Sequence, residues 1–362
     1  MTNNIGQPRI HSSRYIGRFP QTRTPTYCVA GQDGAQSITL GGQHSGKTLF
    51  LFSDTLLLTS QRRDPGHSPF HMESPAGTES LFLANCAAVA EGSELPAALR
   101  SLRYFEDAEG RPLEILEPDA RERFRQMRFW PEHGIFLDGL VYFYYLGVQT
   151  VDAGSAWGFR NLGAGLAELD PGTGQTRRFS ARGDSLPWRN PVADFHFGVH
   201  VTLEDNWVYV FASLRDSIQS FGRLARVRPN RITEPEEYTF LSSNQAGEEP
   251  TWSRDLAESC SLGHTASEFS VSWNAWLGKY TMLYVEEYCK RLVMRTADHL
   301  WGPWGEPQDL IGVPHQKSSA LAYLGFEHAG FQQENGRKIY VTYCEPHFSS
   351  ASLLTVTFDR RH

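Results

Sequence analysis

The hydrophobic residues of this chain fall into short runs separated by Gly, Pro, Asn and Asp. Typical runs are 48–52, 141–145, 207–211 and 280–284, all rich in aromatic and β-branched residues. Runs of roughly five to eight such residues bounded by turn residues are typical of β-strands. Helical periodicity is confined to 96–104 and 117–128, where we expect short helices. The chain is therefore predicted to be all-β.

One unit of this pattern recurs five times: a polar side chain, a Gly-containing or Asn-containing turn, and then an apolar strand. The polar residues at the start of the units are, in chain order, Asp33, Glu132, Asp194, Glu268 and His328. A repeated strand unit that is too small to bury its own apolar faces predicts a radial array. With one or two further strands per unit, we predict a single five-bladed β-propeller domain over 1–362. Its blades would open near residues 33, 132, 194, 268 and 328.

The fifth unit lacks an outer strand in its own part of the sequence. The run at 15–19 near the N-terminus is available to pair with the C-terminal run 353–358. Such pairing would close the ring and remove an exposed sheet edge. A pair of β-sandwiches is the alternative fold; it explains the strands but not the fivefold recurrence of the polar residue.

Composition and charge exclude several classes of function. The net charge of -7 is spread along the chain without basic clusters, which argues against nucleic acid as a partner. No apolar run approaches the roughly 18 residues of a membrane span, and the N-terminus lacks the features of a signal peptide, so we expect a cytoplasmic protein. Five scattered cysteines form no CxxC pair, which argues against a disulfide framework or a zinc site. We expect neither a cofactor nor a metal ion.

Several segments resemble one known family. Gly31-Gln32-Asp33-Gly34, followed by Thr48-Leu49-Phe50-Leu51-Phe52-Ser53-Asp54-Thr55, resembles the opening blade of the DUF4185 family. Ser53 stands where the family usually has Gly, and the spacer between the two Asp residues is longer here. The characterised members include endo-acting D-arabinanases, so the resemblance implies a five-bladed glycosidase propeller. Four later segments fit the same pattern: Trp130-Pro131-Glu132-His133-Gly134, Leu224-Ala225-Arg226-Val227, Ser267-Glu268-Phe269-Ser270-Val271 and Trp301-Gly302-Pro303-Trp304.

The acidic residues of the first blade are the main catalytic candidates. In a hairpin the start of one strand lies beside the end of the next, so Asp33 and Asp54 are expected side by side at one mouth of the propeller. Glycoside cleavage needs one carboxyl that holds a proton and one that is charged. Asp33 is the predicted charged partner, and Asp54 or Glu268 the acid. Asp33 as a simple turn residue and Asp54 as a loop cap are the competing structural interpretations.

The remaining candidates would bind substrate around the same mouth. Glu132 and Asp194 would orient hydroxyl groups or tune the pKa of the acid. His196 and His328 would hydrogen-bond sugar hydroxyls, or hold a central ion or water. The loop aromatics Trp130 and Trp157 would provide stacking surfaces for a sugar ring.

Three functions remain open from the sequence. The first is a glycoside hydrolase-like enzyme that acts on a furanose-containing glycan or glycoside. The second is a cytoplasmic propeller recruited to acid/base-assisted cyclisation or isomerisation of a small metabolite. The third is a non-catalytic sugar-binding propeller, in which the carboxylates would lie too far apart for paired proton transfer.

Overall fold

The computed structural model describes residues 8–20, 22–24, 26–59, 79–152, 158–189, 194–216, 219–286, 291–312, 322–345 and 351–359. Within these ranges the chain forms five antiparallel sheets that follow one another as the blades of a five-bladed β-propeller. The predicted fold class is confirmed. None of the described helices is long and apolar enough to span a membrane.

The described chain begins with β1 (Ile10–Arg18), which belongs to the last blade. The first blade follows, with β3 at its centre: β3 pairs with β2, with β5 over its first half and with β4 over its second half. Its strands are β2 (Tyr27–Thr39), β3 (Lys47–Thr59), β4 (Glu79–Leu83), β5 (Cys86–Glu91) and β6 (Arg103–Tyr104).

Two short helices flank the end of this blade, in the two segments where helices were predicted. Helix α1 (Leu95–Ala98) lies between β5 and β6, and α2 (Ala120–Phe124) leads into the second blade. Helix α2 begins at a capping box: Asp119 accepts a hydrogen bond from the Glu122 backbone, and the Glu122 side chain accepts one from the Asp119 backbone.

The second, third and fourth blades run outward from their first strands in sequence order. The second blade consists of β7 (Met127–Leu137), β8 (Leu140–Thr150), β9 (Phe159–Leu169) and β10 (Thr176–Arg178). The third consists of β11 (Asp194–Glu204), β12 (Trp207–Asp216), β13 (Gln219–Val227), β14 (Thr239–Ser243), β15 (Thr251–Ser253) and β16 (His264–Thr265). The fourth consists of β17 (Ser270–Asn274), β18 (Lys279–Glu286), β19 (Arg291–Ala297) and β20 (Gln308–Gly312).

The fifth blade joins the two ends of the chain. It contains β21 (Tyr323–Glu327), β22 (Lys338–Cys344) and β23 (Ser352–Phe358), and β1 adds to it as the outer strand. Tyr15 pairs with Leu354 in this antiparallel ladder. The predicted closure by N-terminal and C-terminal strands is thus confirmed.

The core lies between the blades, where the apolar faces of neighbouring sheets meet. Leu49 and Leu51 of the first blade pack in one cluster with Phe143 and Tyr145 of the second. Each fully buried side chain of this kind contributes roughly 1.5–3 kcal/mol. The blades are therefore held by side chains from the apolar runs of the sequence.

The inner strands are interrupted by β-bulges in four of the five blades, and these bulges set the direction of the functional side chains. The fourth blade differs, because the register of β17 with β18 is continuous. In the third blade Gly198 is one of two additional residues, and a Cβ at this position would lie 2.2 Å from the Cβ of Tyr144. Glycine is required there for the close approach of the second and third blades.

Candidate active site

Asp33 and Asp54 are brought together by a bulge in the β2–β3 hairpin. Gln32 pairs with Thr55 and Gly34 pairs with Phe52, so Asp33 faces the two residues Ser53 and Asp54. A two-against-one bulge bends the strand and changes the direction of its side chains. Asp33 lies in the middle of β2 rather than at its start, because the strand extends back to Tyr27.

Both carboxylates of this pair are held by donors from other blades. Asp33 Oδ2 accepts a hydrogen bond of 2.6 Å from the Tyr323 hydroxyl of the fifth blade. Asp54 Oδ1 accepts one of 2.8 Å from the Trp130 indole N–H of the second blade. The Arg128 guanidinium is more distant, 3.9 Å from Asp54 Oδ1. The two carboxyl groups are therefore fixed mainly by neutral donors.

The pKa values of both carboxyl groups are raised. Burial raises the pKa of Asp33, and the hydrogen bond from Tyr323 partly opposes that rise. Burial also raises the pKa of Asp54, to about 7; Arg128 lowers it, and the nearby Asp33 raises it further. Asp54 can consequently hold a proton at neutral pH.

A second cluster is centred on His196 and draws on three blades. His196 Nδ1 lies 3.7 Å from Glu132 Oε1 and 3.6 Å from Glu268 Oε1, while Nε2 lies 3.3 Å from Asp194 Oδ2. Asp194 is in turn held by the Asn161 amide, at 2.8 Å. The ligand atoms of Glu132, His196 and Glu268 all lie within 4.8 Å of one another, a spacing that can accommodate a metal ion.

The pKa values of the groups in this second cluster depend on the charge of His196. Burial acts to lower the pKa of His196, but Asp194, Glu268 and Glu132 together raise it to about 10. Burial raises the pKa of Glu132 to about 8; His196 lowers it, while Glu268 and Asp194 raise it. Burial also opposes ionisation of Asp194, yet His196 and Asn161 hold its pKa below the usual range.

Cys344 connects the two groups of carboxylates. Burial raises the pKa of its thiol, and so do the charges of Asp33 and Glu268. Its sulfur lies 3.7 Å from the Gly34 carbonyl oxygen, next to Asp33. The thiol therefore lies within electrostatic reach of a member of each cluster, which places both clusters around one region of the propeller.

The structure places His328 away from these carboxylates. It follows β21 rather than opening an inner strand, and its ring hydrogen-bonds Ser37 Oγ at 2.9 Å and Thr342 Oγ1 at 3.0 Å. Burial lowers its pKa to about 3. The His328 ring is therefore neutral, and both of its nitrogens are hydrogen-bonded within the protein. It packs the first blade against the fifth. The predicted opening of the fifth unit at His328 therefore differs from the observed strand, which starts at Tyr323.

Trp130 lies at the pair of aspartates, where its indole N–H contacts Asp54 and its ring packs edge-on against Phe159 at 4.6 Å. The other predicted stacking residue, Trp157, lies outside the described residues.

Sequence reasoning missed three residues that touch or influence the aspartate pair: Tyr323, Arg128 and Cys344. Tyr323 and Cys344 are paired across β21 and β22. Both face Asp33 only because the fifth blade closes against the first, about 290 residues earlier in the chain. Tyr323, five residues before His328, carries the only hint in the sequence. Its hydroxyl would have been a candidate if the fifth unit had been taken to begin at Tyr323 instead of His328.

Comparisons with known proteins agree with this architecture. The DUF4185 family model, described as a domain of unknown function, matches residues 20–357. A solved structure of a candidate hydrolase from Bacteroides ovatus ATCC 8483 is 12% identical, with a TM-score of 0.60, and the match covers 98% of this chain and 93% of that one. No curated protein matches the sequence at a significant level.

Structures named as glycoside hydrolases are also similar. A GH32 β-fructofuranosidase of Bombyx mori, solved with sucrose, is 12% identical with a TM-score of 0.50; the match covers 94% of this chain and 61% of that one. A GH43_1 enzyme of Xanthomonas citri is 14% identical with a TM-score of 0.48; the match covers 96% of this chain and 91% of that one. At these identities the likeness to the two structures with TM-scores of 0.50 and 0.60 concerns the fold alone and leaves the reaction to be argued from the residues.

Proposed function

The chain belongs to the DUF4185 family, and we propose that it is a glycoside hydrolase that cleaves a furanose-containing glycan or glycoside with Asp33 and Asp54. The observation that carries this proposal is the bulged hairpin that presents these two largely buried carboxyl groups next to each other. Glycosidases use a pair of carboxyl groups in opposite protonation states. A pair held by neutral donors, one of them with a pKa of about 7, meets that requirement.

Asp54 is the general acid in this mechanism. It holds its proton at neutral pH because it is buried and close to a second carboxyl group. It would give that proton to the leaving oxygen as the glycosidic bond breaks. Glu268, the other candidate acid, lies instead on the His196 side of the region.

Asp33 is the charged partner. The Tyr323 hydroxyl orients its carboxylate and stabilises the ionised form. Asp33 and Asp54 face each other across the bulge of one hairpin, and closely spaced carboxyl groups, about 5 Å apart, are typical of retaining glycosidases. We therefore propose that Asp33 attacks the anomeric carbon, that a water molecule deprotonated by Asp54 then displaces Asp33, and that the product retains the configuration of the substrate.

The proposed substrate class is supported by two likenesses. The solved β-fructofuranosidase acts on a furanose-containing sugar by its name, and the first-blade segment resembles D-arabinanases. Glu132, Asp194 and His196, in the second cluster, would contact the sugar hydroxyls or hold groups that do. Trp130 would border the sugar while it holds Asp54.

The test is a screen of arabinan, galactan and fructan substrates with product detection, run on the wild type, Asp33→Asn and Asp54→Asn. We expect one substrate to be cleaved by the wild type and by neither variant. Asp205→Asn is the matched control, because Asp205 is exposed in the β11–β12 turn, outside both clusters. Full activity of Asp33→Asn, or binding of a glycan without turnover by the wild type, would contradict the proposal.

A further inference from the structure

We propose that Glu132, His196 and Glu268 bind a divalent metal ion of the zinc class. The three ligands come from the second, third and fourth blades, and their ligand atoms lie within 4.8 Å of one another. This site is separate from the aspartate pair, so the inference does not rest on the proposed function.

The distances within the cluster suit ligands around an ion better than they suit direct hydrogen bonds. Separations of 3.6 and 3.7 Å from His196 Nδ1 to the two glutamate oxygens are too long for hydrogen bonds. Ligands at about 2.1 Å from a tetrahedral zinc ion lie roughly 3.4 Å from each other. A shift of a few tenths of an ångström would bring each glutamate oxygen to that distance from His196 Nδ1, and the two glutamate oxygens lie within 4.8 Å of each other.

Two buried polar atoms of these residues have no hydrogen-bond partner within the described ranges. Within the part of the chain that the structure describes, His196 Nδ1 and Glu132 Oε2 are buried and make no hydrogen bond. His196 is 8% exposed and Glu132 3% exposed. A buried polar atom without a partner is unfavourable, and a bound ion is one recognised explanation for it.

The surroundings of His196 match those of a metal-binding histidine. Its other nitrogen, Nε2, lies 3.3 Å from Asp194 Oδ2, and Asp194 is itself held by the Asn161 amide. A ligating histidine normally donates its second N–H to a carboxylate, which directs the lone pair of the first nitrogen at the ion. With Nε2 donating to Asp194, the Nδ1 lone pair faces Glu132 and Glu268.

The donor set favours zinc over calcium or magnesium. One imidazole nitrogen with two carboxylates fits the N/O ligands of Zn²⁺, whereas Ca²⁺ prefers six to eight oxygens. The Glu268 side chain is 19% exposed, which leaves a path for the ion to enter.

The experiment is titration of the chelator-treated full chain with Zn²⁺, followed by calorimetry, and with Co²⁺, followed by its visible absorption. We expect one ion per chain and the absorption of a tetrahedral complex. His196→Gln should weaken Zn²⁺ binding at least about 100-fold. Asp194→Asn keeps all three ligands and should weaken it by about 10- to 100-fold.

Two controls separate this site from adventitious binding. His264→Gln, at an exposed histidine, should bind Zn²⁺ as the wild type does. Asp33→Asn should also bind it normally, even if the wild type proves to have no glycosidase activity. Absence of saturable binding by the wild type, or wild-type affinity in both His196→Gln and Asp194→Asn, would overturn the proposal and leave a protonated His196 as the cation between Glu132 and Glu268.

Discussion

Two groups of carboxylates face the same region of this propeller and are built in opposite ways. Asp33 and Asp54 are held by a tyrosine hydroxyl and an indole N–H, with the Arg128 guanidinium no closer than 3.9 Å. Glu132, Asp194 and Glu268 surround a histidine instead. Both groups begin from the same residue types at similar places in the repeated unit, so their different chemistry comes from the partners that the other blades supply.

The contrast shows how buried negative charge is managed. Neutral donors orient a carboxylate without compensating its full desolvation, so the pKa of Asp54 rises to about 7 and a proton is kept for catalysis. A cation, whether a proton on His196 or a metal ion, lowers the pKa of the carboxylates next to it: the pKa of Asp194 falls below its usual range, whereas burial still raises the pKa of Glu132 to about 8. The first arrangement suits proton transfer, and the second suits binding.

The largest expected effect is on turnover. Asp33→Asn preserves the size of the side chain but removes the charge, so we expect kcat to fall roughly 10⁴-fold or more, as for residues that act as a catalytic unit. Steady-state kinetics on the substrate found in the screen would measure the loss. The circular dichroism spectrum and the affinity for Zn²⁺ should be unchanged. If Glu268→Gln were the more damaging substitution, the division of roles between the two groups would be wrong.

The second prediction concerns stability and its dependence on pH. The folded pKa of Asp54, about 7, lies above its ordinary value of 3.8. Between these values the folded state binds more protons than the unfolded state, so the stability contributed by this group is present below about pH 4 and is lost as pH rises through 7. Three pKa units correspond to about 4 kcal/mol as an upper limit.

An asparagine at position 54 does not titrate, so the Asp54→Asn variant does not show the loss of stability that ionisation of Asp54 causes in the wild type. Relative to the wild type, its free energy of unfolding in urea should therefore increase by up to about 4 kcal/mol between pH 4 and pH 8. Carboxyl groups that do not interact with Asp54 titrate alike in both proteins and cancel in this difference. Asp205→Asn should show no such change, since Asp205 is exposed. If the difference in unfolding free energy between Asp54→Asn and the wild type were the same at pH 4 and pH 8, Asp54 would be ionised across this range.

The fold could be predicted from the sequence because its evidence is repetitive. Five similar units, each with an apolar inner strand, specify a ring, and the unpaired run near Tyr15 specifies where the ring closes. The strand boundaries were harder to predict. Asp33 and Glu132 lie well inside long strands, whereas Glu268 lies two residues before its strand. Bulges change the register of a strand with little trace in its hydrophobic pattern.

The candidate residues were harder to sort into groups. Hairpin geometry predicts that Asp33 and Asp54 are neighbours, because the relevant strands are consecutive. Nothing in a single sequence indicates that Tyr323 will face Asp33, or that His196 rather than His328 will meet the glutamates. Those contacts depend on the angle between blades, which is set by packing such as that of Gly198 against Tyr144.

The third prediction tests the donor to the acid. Trp130→Phe keeps an aromatic ring but removes the N–H that donates to Asp54. Loss of a hydrogen bond to the charged form should raise the pKa of Asp54 by about one unit. The falling limb of the profile of kcat/KM against pH should shift upward by the same amount, with the maximum reduced about tenfold. Trp273→Phe, at a tryptophan that lies 5.0 Å from Tyr280 and is half exposed, is the control.

The smallest effect is expected at the donor to Asp33. Tyr323→Phe removes the hydroxyl, but the Gly34 N–H and the Cys344 thiol also stabilise the ionised carboxylate, so the pKa of Asp33 should rise by less than about one unit. The rising limb of the kcat/KM profile should shift upward while the falling limb stays in place, which a merely structural defect would not produce. Tyr280→Phe removes a similar tyrosine–carboxylate bond, to Glu204, away from both clusters, and should leave the profile unchanged. A shift of the falling limb by Tyr323→Phe would reverse the roles of the two aspartates, because the hydroxyl would then be acting on the acid.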